Sequence, residues 1–178
     1  MRENRIREFA HGRACARQAL SALGISPCPI PVGENREPVW PEQIAGSISH
    51  CGRHAAAVAA HHSDIPGLGV DLELNESLED PLLKMVCRPE EMQRLDRSGT
   101  DYFLDKLIFS AKESLYKCVW PTLRQFIDFQ EIEIRLDLAG YRYAAVSHNP
   151  QLPDALIKRI HGRFMHMGDL IITSAYVG

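Results

Sequence analysis

Two stretches decide how this chain is read: Gly69-Val-Asp-Leu-Glu73 and Phe109-Ser-Ala-Lys-Glu-Ser-Leu-Tyr-Lys117. Leu68 to Leu74 alternates well enough to be a strand, and Asp64-Ile-Pro-Gly67 before it is a turn. On a strand, Asp71 and Glu73 point from one face. That face is not simple core, because a buried unpaired carboxylate is very costly. Two adjacent acids also repel unless a proton or a cation lies between them. An oxygen-preferring divalent ion such as Mg²⁺ is the natural guest, taking a few carboxylates and completing its shell with water and phosphate. The plain alternative is a solvent-facing polar strand edge.

The second stretch lies in a long amphipathic helix expected from Asp101 to about Val119. Phe103, Leu104, Leu107, Ile108, Leu115 and Val119 form its apolar positions, and Pro121 ends it. Glu113 and Lys117 are i and i+4 neighbours, with Lys112 on the adjoining flank. Glu113 is then a third metal ligand, while Lys112 and Lys117 hold phosphate oxygens. The plain alternative is a surface ion pair worth ~0.3–0.5 kcal/mol. Ser110 and Glu113 also spell a capping box, but the apolar periodicity begins well before Ser110.

Upstream, the first 24 residues read as a helix that puts Ile6, Phe9, Ala10, Ala16, Ala19, Leu20 and Leu23 near one face, with Gly24 as its stop. Five arginines against two glutamates make this segment basic in a chain whose net charge is −3. Residues 26–41 carry five prolines and form an extended loop. Gly46-Ser-Ile-Ser-His50 and the alanine-rich run 55–60 flank Gly52 and read as a hairpin, against the helical propensity of alanine. Downstream, Pro89-Glu90-Glu91 opens a short helix. The pattern then turns to period two, with strands expected at Glu131–Leu136, Tyr141–Ser147, Ile160–Met167 and Leu170–Val177.

The 178 residues are 45% hydrophobic and 24% charged, the balance of a soluble globular chain of one domain or two small ones. A slightly acidic net charge supplies no global case for nucleic-acid binding. No apolar run reaches membrane-span length, and Met1-Arg-Glu-Asn-Arg5 lacks the apolar core of a signal peptide. Five widely spaced cysteines without a C-x-x-C read as reduced cytoplasmic thiols.

Taken together, these segments resemble the 4′-phosphopantetheinyl transferases of the larger, monomeric type, in the branch serving siderophore and peptide synthases. That family pairs G-[IV]-D-x-E with [FW]-[SCT]-x-K-E-[SA]-x-x-K, as at residues 69–73 and 109–117. Its upstream serine-histidine element is Gly46-Ser-Ile-Ser-His50. Gly12-Arg-Ala-Cys-Ala-Arg-Gln-Ala-Leu20 and Glu37-Pro-Val-Trp-Pro41 match two further elements of this branch.

The resemblance implies an α+β fold of two similar subdomains in pseudo-twofold arrangement, each with helices on a small antiparallel sheet. Here they would be residues 1–67 and 68–178, with coenzyme A in the cleft between them. It implies transfer of 4′-phosphopantetheine from coenzyme A to a serine of an apo acyl or peptidyl carrier protein, with release of 3′,5′-ADP. The alternative is a non-catalytic coenzyme A- or carrier-binding module. Asp71, Glu73 and Glu113 would hold Mg²⁺ or Mn²⁺. Glu113, Lys117 and His50 would be catalytic, Glu113 or a metal-bound water taking the serine proton. Arg5, Arg13, Ser49, His50, Lys112 and Lys117 would bind the coenzyme. Two departures bear on coenzyme affinity. The chain starts later than many relatives, and Val32 stands near where some carry a phosphate-binding lysine, with Arg36 the candidate substitute. Arg88 to Arg97 and the segment around Trp120 to Phe129 are the candidates for carrier docking, against a plainer reading as helix surface and core edge.

Overall fold

The computed structural model describes residues 2–95 and 101–178, with side chains from residue 5 onward. Helix α1, Arg2–Ala22, is followed by Gly24 in the left-handed region. It buries Ala16 and Leu20 against Ile30 and Ile44. Gly12 lets it approach the sheet, since a Cβ there would meet Ile48 Cγ2 at 2.8 Å. The expected apolar face is only half used. Ile6 is 66% exposed and Phe9 48%, and Phe9 instead lies under the Arg13 guanidinium at 4.6 Å.

Strands β1, Ile44–Cys51, and β2, His54–His61, form the hairpin the Gly52 turn suggests. Gly52 has φ +57°, which glycine adopts without strain. The alanines pair across this hairpin and pack under α1, so tertiary contact outweighs their helix propensity. Strand β3, Leu68–Leu74, is the edge of a five-stranded antiparallel sheet completed by β4, Ile132–Asp137, β5, Arg142–Ser147, β6, Ile160–Met167, and β7, Leu170–Val177. The order is β3-β7-β6-β5-β4.

Short helices α2, Asp80–Val86, and α3, Pro89–Met92, lead to α4, Leu104–Leu123. Helix α5, Asp154–Ile157, and a 3₁₀ turn at Phe129–Glu131 complete the elements. Helix α4 runs past Pro121, correcting the expected end. In the last turn proline costs at most one i→i−4 bond, and the helix stops at Arg124, whose φ is +49° and whose N–H donates to the Trp120 carbonyl. Leu107, Leu115, Ile134, Ile157 and Ile171 fill the core between α4 and the sheet. The hairpin packs beside β3, so β1, β3 and α4 meet along one line. No described helix is long and apolar enough to cross a membrane.

Candidate active site at the meeting of β1, β3 and α4

Asp71 is the centre of this junction. It is 3% exposed, which removes the solvent-edge reading of the D-x-E pair. Its Oδ1 accepts from Lys117 Nζ at 2.6 Å and from Ser49 Oγ at 2.9 Å, and its Oδ2 accepts from Ser110 Oγ at 2.8 Å. Lys117 Nζ also lies 3.2 Å from Ser49 Oγ and 3.3 Å from the Val70 carbonyl. Ser110 continues inward to Thr173 (2.9 Å), and Thr173 reaches Ser114, whose hydroxyl meets the Tyr143 hydroxyl at 2.7 Å. The carboxylate, on β3, is thus set by groups from β1 and α4 and by a buried polar chain behind it.

Glu73, two residues along the same strand face, is pushed up to about 7, first by burial and then by Asp71, with Lys106 and Lys117 acting against the shift. Burial also raises Glu113, with Lys117 opposing and Asp71 adding. Lys106 Nζ lies 3.7 Å from Glu73 Oε2. Lys106 is absent from the sequence expectation, and Ser110 enters it only as a capping-box residue. The signal was present, since positions 106, 110, 113 and 117 recur at the spacing of one helix face.

Two expected ligands stand elsewhere. Lys112 is the clear correction. At 100° per residue it is about 140° around α4 from Lys117, so it enters the core. Its Nζ donates to Glu91 Oε2 at 2.7 Å and to the Val86 and Phe129 carbonyls, both at 2.8 Å, using all three protons. Glu91, wholly buried, also accepts from the Arg88 and Ile134 amides. Lys112 therefore ties α2, α3, α4 and β4 together and offers nothing to a phosphate. Arg13 donates to the Ile30 carbonyl at 2.8 Å and the Pro31 carbonyl at 3.3 Å, bracing the proline loop.

Strand alternation separates Ser49 from His50. Ser49 is buried at Asp71, whereas the His50 side chain is 48% exposed, with Nδ1 3.9 Å from Glu8 on α1. Arg5, one turn earlier on α1, is exposed. Val32 is half-exposed and Arg36 lines the neighbouring cavity.

That cavity, of about 500 Å³, runs between the proline loop, β1 and α4. Glu113 and Lys117 form one part of its wall, with Trp40, Tyr116, Trp120 and Arg124 further along. On the other flank of Glu113 is a smaller pocket of about 100 Å³, beside Phe126, which is 75% exposed. Of the two docking candidates, Trp120 to Phe129 thus reaches the site, while Arg97 lies outside the described residues.

A hard divalent cation suits this donor set, because Asp71, Glu73 and Glu113 are all carboxylates and two are held high by burial and mutual repulsion. Among the described residues no three such side chains are already gathered into a metal site. Cys87 and Cys118 are pushed up to about 12 by burial, and all five cysteines are free.

Comparison with known proteins defines the class. Residues 1–60 match the 4′-phosphopantetheinyl transferase N-terminal domain, and residues 67–173 match the 4′-phosphopantetheinyl transferase superfamily. The crystal structure of holo-[acyl-carrier-protein] synthase from Neisseria meningitidis shares the fold, with a TM-score of 0.51 at 21% identity over 64% of this chain and 98% of that one. The chain belongs to the 4′-phosphopantetheinyl transferase superfamily. It is 34% identical over 178 residues to 4′-phosphopantetheinyl transferase Svp of Streptomyces mobaraensis, covering 97% of this chain and 72% of that one. It is 37% identical over 136 residues to 4′-phosphopantetheinyl transferase Npt of Nocardia iowensis, over 76% of this chain and 61% of that protein. Enterobactin synthase component D of Escherichia coli O157:H7 is 38% identical over 129 residues, 70% of this chain and 60% of that one.

Proposed function

We propose that this chain transfers 4′-phosphopantetheine from coenzyme A to a serine hydroxyl of an apo acyl or peptidyl carrier protein. The observation that carries the reading is that Lys117, paired with the buried Asp71, and Glu113 both line the wall of a ligand-sized cavity. In the reaction the serine oxygen bonds to the phosphorus that bears pantetheine. The bond from that phosphorus to the bridging oxygen breaks, and 3′,5′-ADP leaves. Such chemistry is mostly positioning and charge stabilisation.

Asp71, Glu73 and Glu113 would hold Mg²⁺, or Mn²⁺, which would supply charge neutralisation at the diphosphate. Lys117 sits where its ammonium turns from Asp71 to a phosphate oxygen. Ser49 orients both. Glu113, raised by burial, has the proton affinity to accept the serine proton. His50 and Arg5 face the nucleotide 3′-phosphate from the β1–α1 side, and Arg13 acts there by shaping the loop. The half-apolar cavity takes the neutral pantetheine arm. Exposed Phe126 beside Glu113 is the docking point for the carrier. The halves 1–67 and 68–178, each a helix over antiparallel strands, form the two sides of the cleft as pseudo-twofold partners in a monomer. Five free thiols fit a cytoplasmic, reducing setting.

The test is intact mass. The protein is mixed with coenzyme A, Mg²⁺ and a panel of apo carriers, with EDTA and Glu113→Gln as controls. A carrier gaining one phosphopantetheine only with metal and only with Glu113 supports the reading. Coenzyme A binding without mass gain on any carrier overturns it in favour of a binding module.

A further inference from the structure

Asp71 is braced from behind, and the brace is local to it. Across the β3–β7 ladder Asp71 stands directly opposite Thr173, while Gly69 faces Ala175 and Glu73 faces Ile171. Thr173 shares its strand face with Ile171, Ala175 and Val177, all buried and apolar. This face of β7 carries its hydroxyl at the position opposite Asp71. Valine has the shape of threonine and would fill the place without burying a polar group, which costs free energy unless that group is hydrogen-bonded.

Thr173 is wholly buried, as are Ser110 and Ser114 of α4. Its Oγ1 lies 2.9 Å from Ser110 Oγ, 2.8 Å from the Ser110 carbonyl and 3.0 Å from Ser114 Oγ. One side chain therefore holds Ser110 at both of its oxygens. The Ser110 proton goes to Asp71 Oδ2, so toward Thr173 its hydroxyl oxygen acts as acceptor. Ser114 is fixed in turn. The Tyr143 hydroxyl is 2.7 Å from its Oγ, and its own hydroxyl donates to the Ala111 carbonyl. The Tyr143 ring lies against Gly162, its partner on β6, where a Cβ would meet Tyr143 Cδ2 at 2.4 Å. The bonds behind Asp71 thus end on a ring packed against backbone.

We propose that Thr173 is a positioning residue for Asp71: by clamping Ser110 it keeps the Ser110 hydroxyl on Oδ2 and the carboxylate in the orientation that binds a divalent cation. This rests on the reading of Asp71, Glu73 and Glu113 as the cation site of a transferase. A serine inside a helix otherwise turns its hydroxyl back to the carbonyl four residues earlier, here that of Lys106. Released from Ser110, Asp71 would follow Lys117 and Ser49, which both hold Oδ1. Glu73 has an apolar residue opposite it and Lys106 Nζ at 3.7 Å, so Asp71 is the braced member of the pair.

The experiment titrates Mn²⁺ into the protein with saturating coenzyme A and no carrier, and counts unbound Mn²⁺ by its electron paramagnetic resonance. Binding is thus read without turnover. The unmodified protein is compared with Thr173→Val, Thr173→Ser, Ser110→Ala and the double variant Ser110→Ala with Thr173→Val. Thr173→Val and Ser110→Ala should each weaken Mn²⁺ binding about tenfold, with Thr173→Ser, which keeps the hydroxyl, within about threefold of the unmodified protein. The double variant should bind no more weakly than Ser110→Ala alone, because Thr173 acts through Ser110. Transfer assays on one apo carrier should show the same order in the Mn²⁺ concentration for half-maximal rate, with the KM for the carrier unchanged. Unaltered Mn²⁺ affinity in folded Thr173→Val overturns the assignment, as do losses that add in the double variant or a Thr173→Ser as weak as Thr173→Val. Mn²⁺ binding in the expected order without transfer on any carrier overturns the transfer reading and leaves the role of Thr173 standing. No Mn²⁺ binding by the unmodified protein overturns the cation site and the assignment together. Thermal melts confirm that each variant is folded, and Thr173→Ala replaces Thr173→Val should the valine not fold.

Discussion

A Cβ on Gly69 would stand 1.9 Å from the carbonyl oxygen of Ser114. Strand β3 therefore lies directly on α4 at this point, and the contact brings Asp71, two residues on, within reach of Ser110 and Lys117. The glycine of the G-V-D-L-E stretch is a packing requirement, met by the absence of a side chain. Gly69→Ala should destabilise the fold by about 3 kcal/mol, at the upper end of overpacking costs, because the obstacle is backbone. Urea unfolding measures it, and activity should fall with it as Asp71 is displaced.

Asp71 separates charge from fold. Asp71→Ala leaves Lys117, Ser49 and Ser110 without their acceptor and should cost about 3 kcal/mol, as breaking a buried pair does. Asp71→Asn keeps the shape and most of the bonds, so it should melt closer to the unmodified protein yet lose divalent-cation binding. Calorimetry with Mn²⁺ beside a denaturant curve distinguishes the two effects.

Lys112→Met should behave as a stability variant. It strands the buried Glu91 carboxylate and two carbonyls, at a cost of about 3–5 kcal/mol. In whatever fraction remains folded, the KM for coenzyme A should be unchanged. A raised KM with an unaltered melting temperature would return Lys112 to the coenzyme site.

Glu73, at about 7, binds a proton near neutrality that an unfolded glutamate gives up at about 4.3. Its ionisation thus opposes folding as pH rises from about 4.3 through 7, whereas a bound cation favours the ionised form. Cation binding should release a proton near pH 7 and tighten from pH 6 to pH 8. Glu73→Gln should flatten that rise. Mn²⁺ calorimetry in buffers of different ionisation enthalpy reports both.

Glu133 works with the opposite sign. Hydrogen bonds from Arg135, then His148 and Arg94, pull its carboxyl down to about 2. Stability from this cluster is complete above the unfolded value of about 4.3 and is lost as pH falls through about 2. Glu133→Gln should remove about 2 kcal/mol at pH 7, discounted because its arginine partners are largely exposed. It should also weaken the acid dependence, which melts from pH 7 to pH 2.5 would show.

Much of this architecture is local. Alternation at 68–74, 160–167 and 170–177, the Gly52 turn and the Gly24 stop reflect two-residue and turn periodicities that a chain carries without its partners. Helices α2 and α5 leave no period in the sequence, because one or two turns are too short to show one. Helix α4 outruns the stop expected at Pro121 because that proline lies in its last turn, where it breaks little.

The chain alone carries the chemical groups and their spacing: carboxylates at 71, 73 and 113, and an ammonium at 117 one helical turn from the last. Tertiary structure decided which of them meet. Neighbouring lysines on one helix went to opposite fates, Lys117 to Asp71 and Lys112 to Glu91, because a helix turns 100° per residue and only packing says which side is core. The Glu37–Arg124 bond, between residues far apart in the chain, exists only because β3 and the hairpin set the proline loop against the end of α4. Pairings of that kind depend on long-range closure, and no local pattern encodes them.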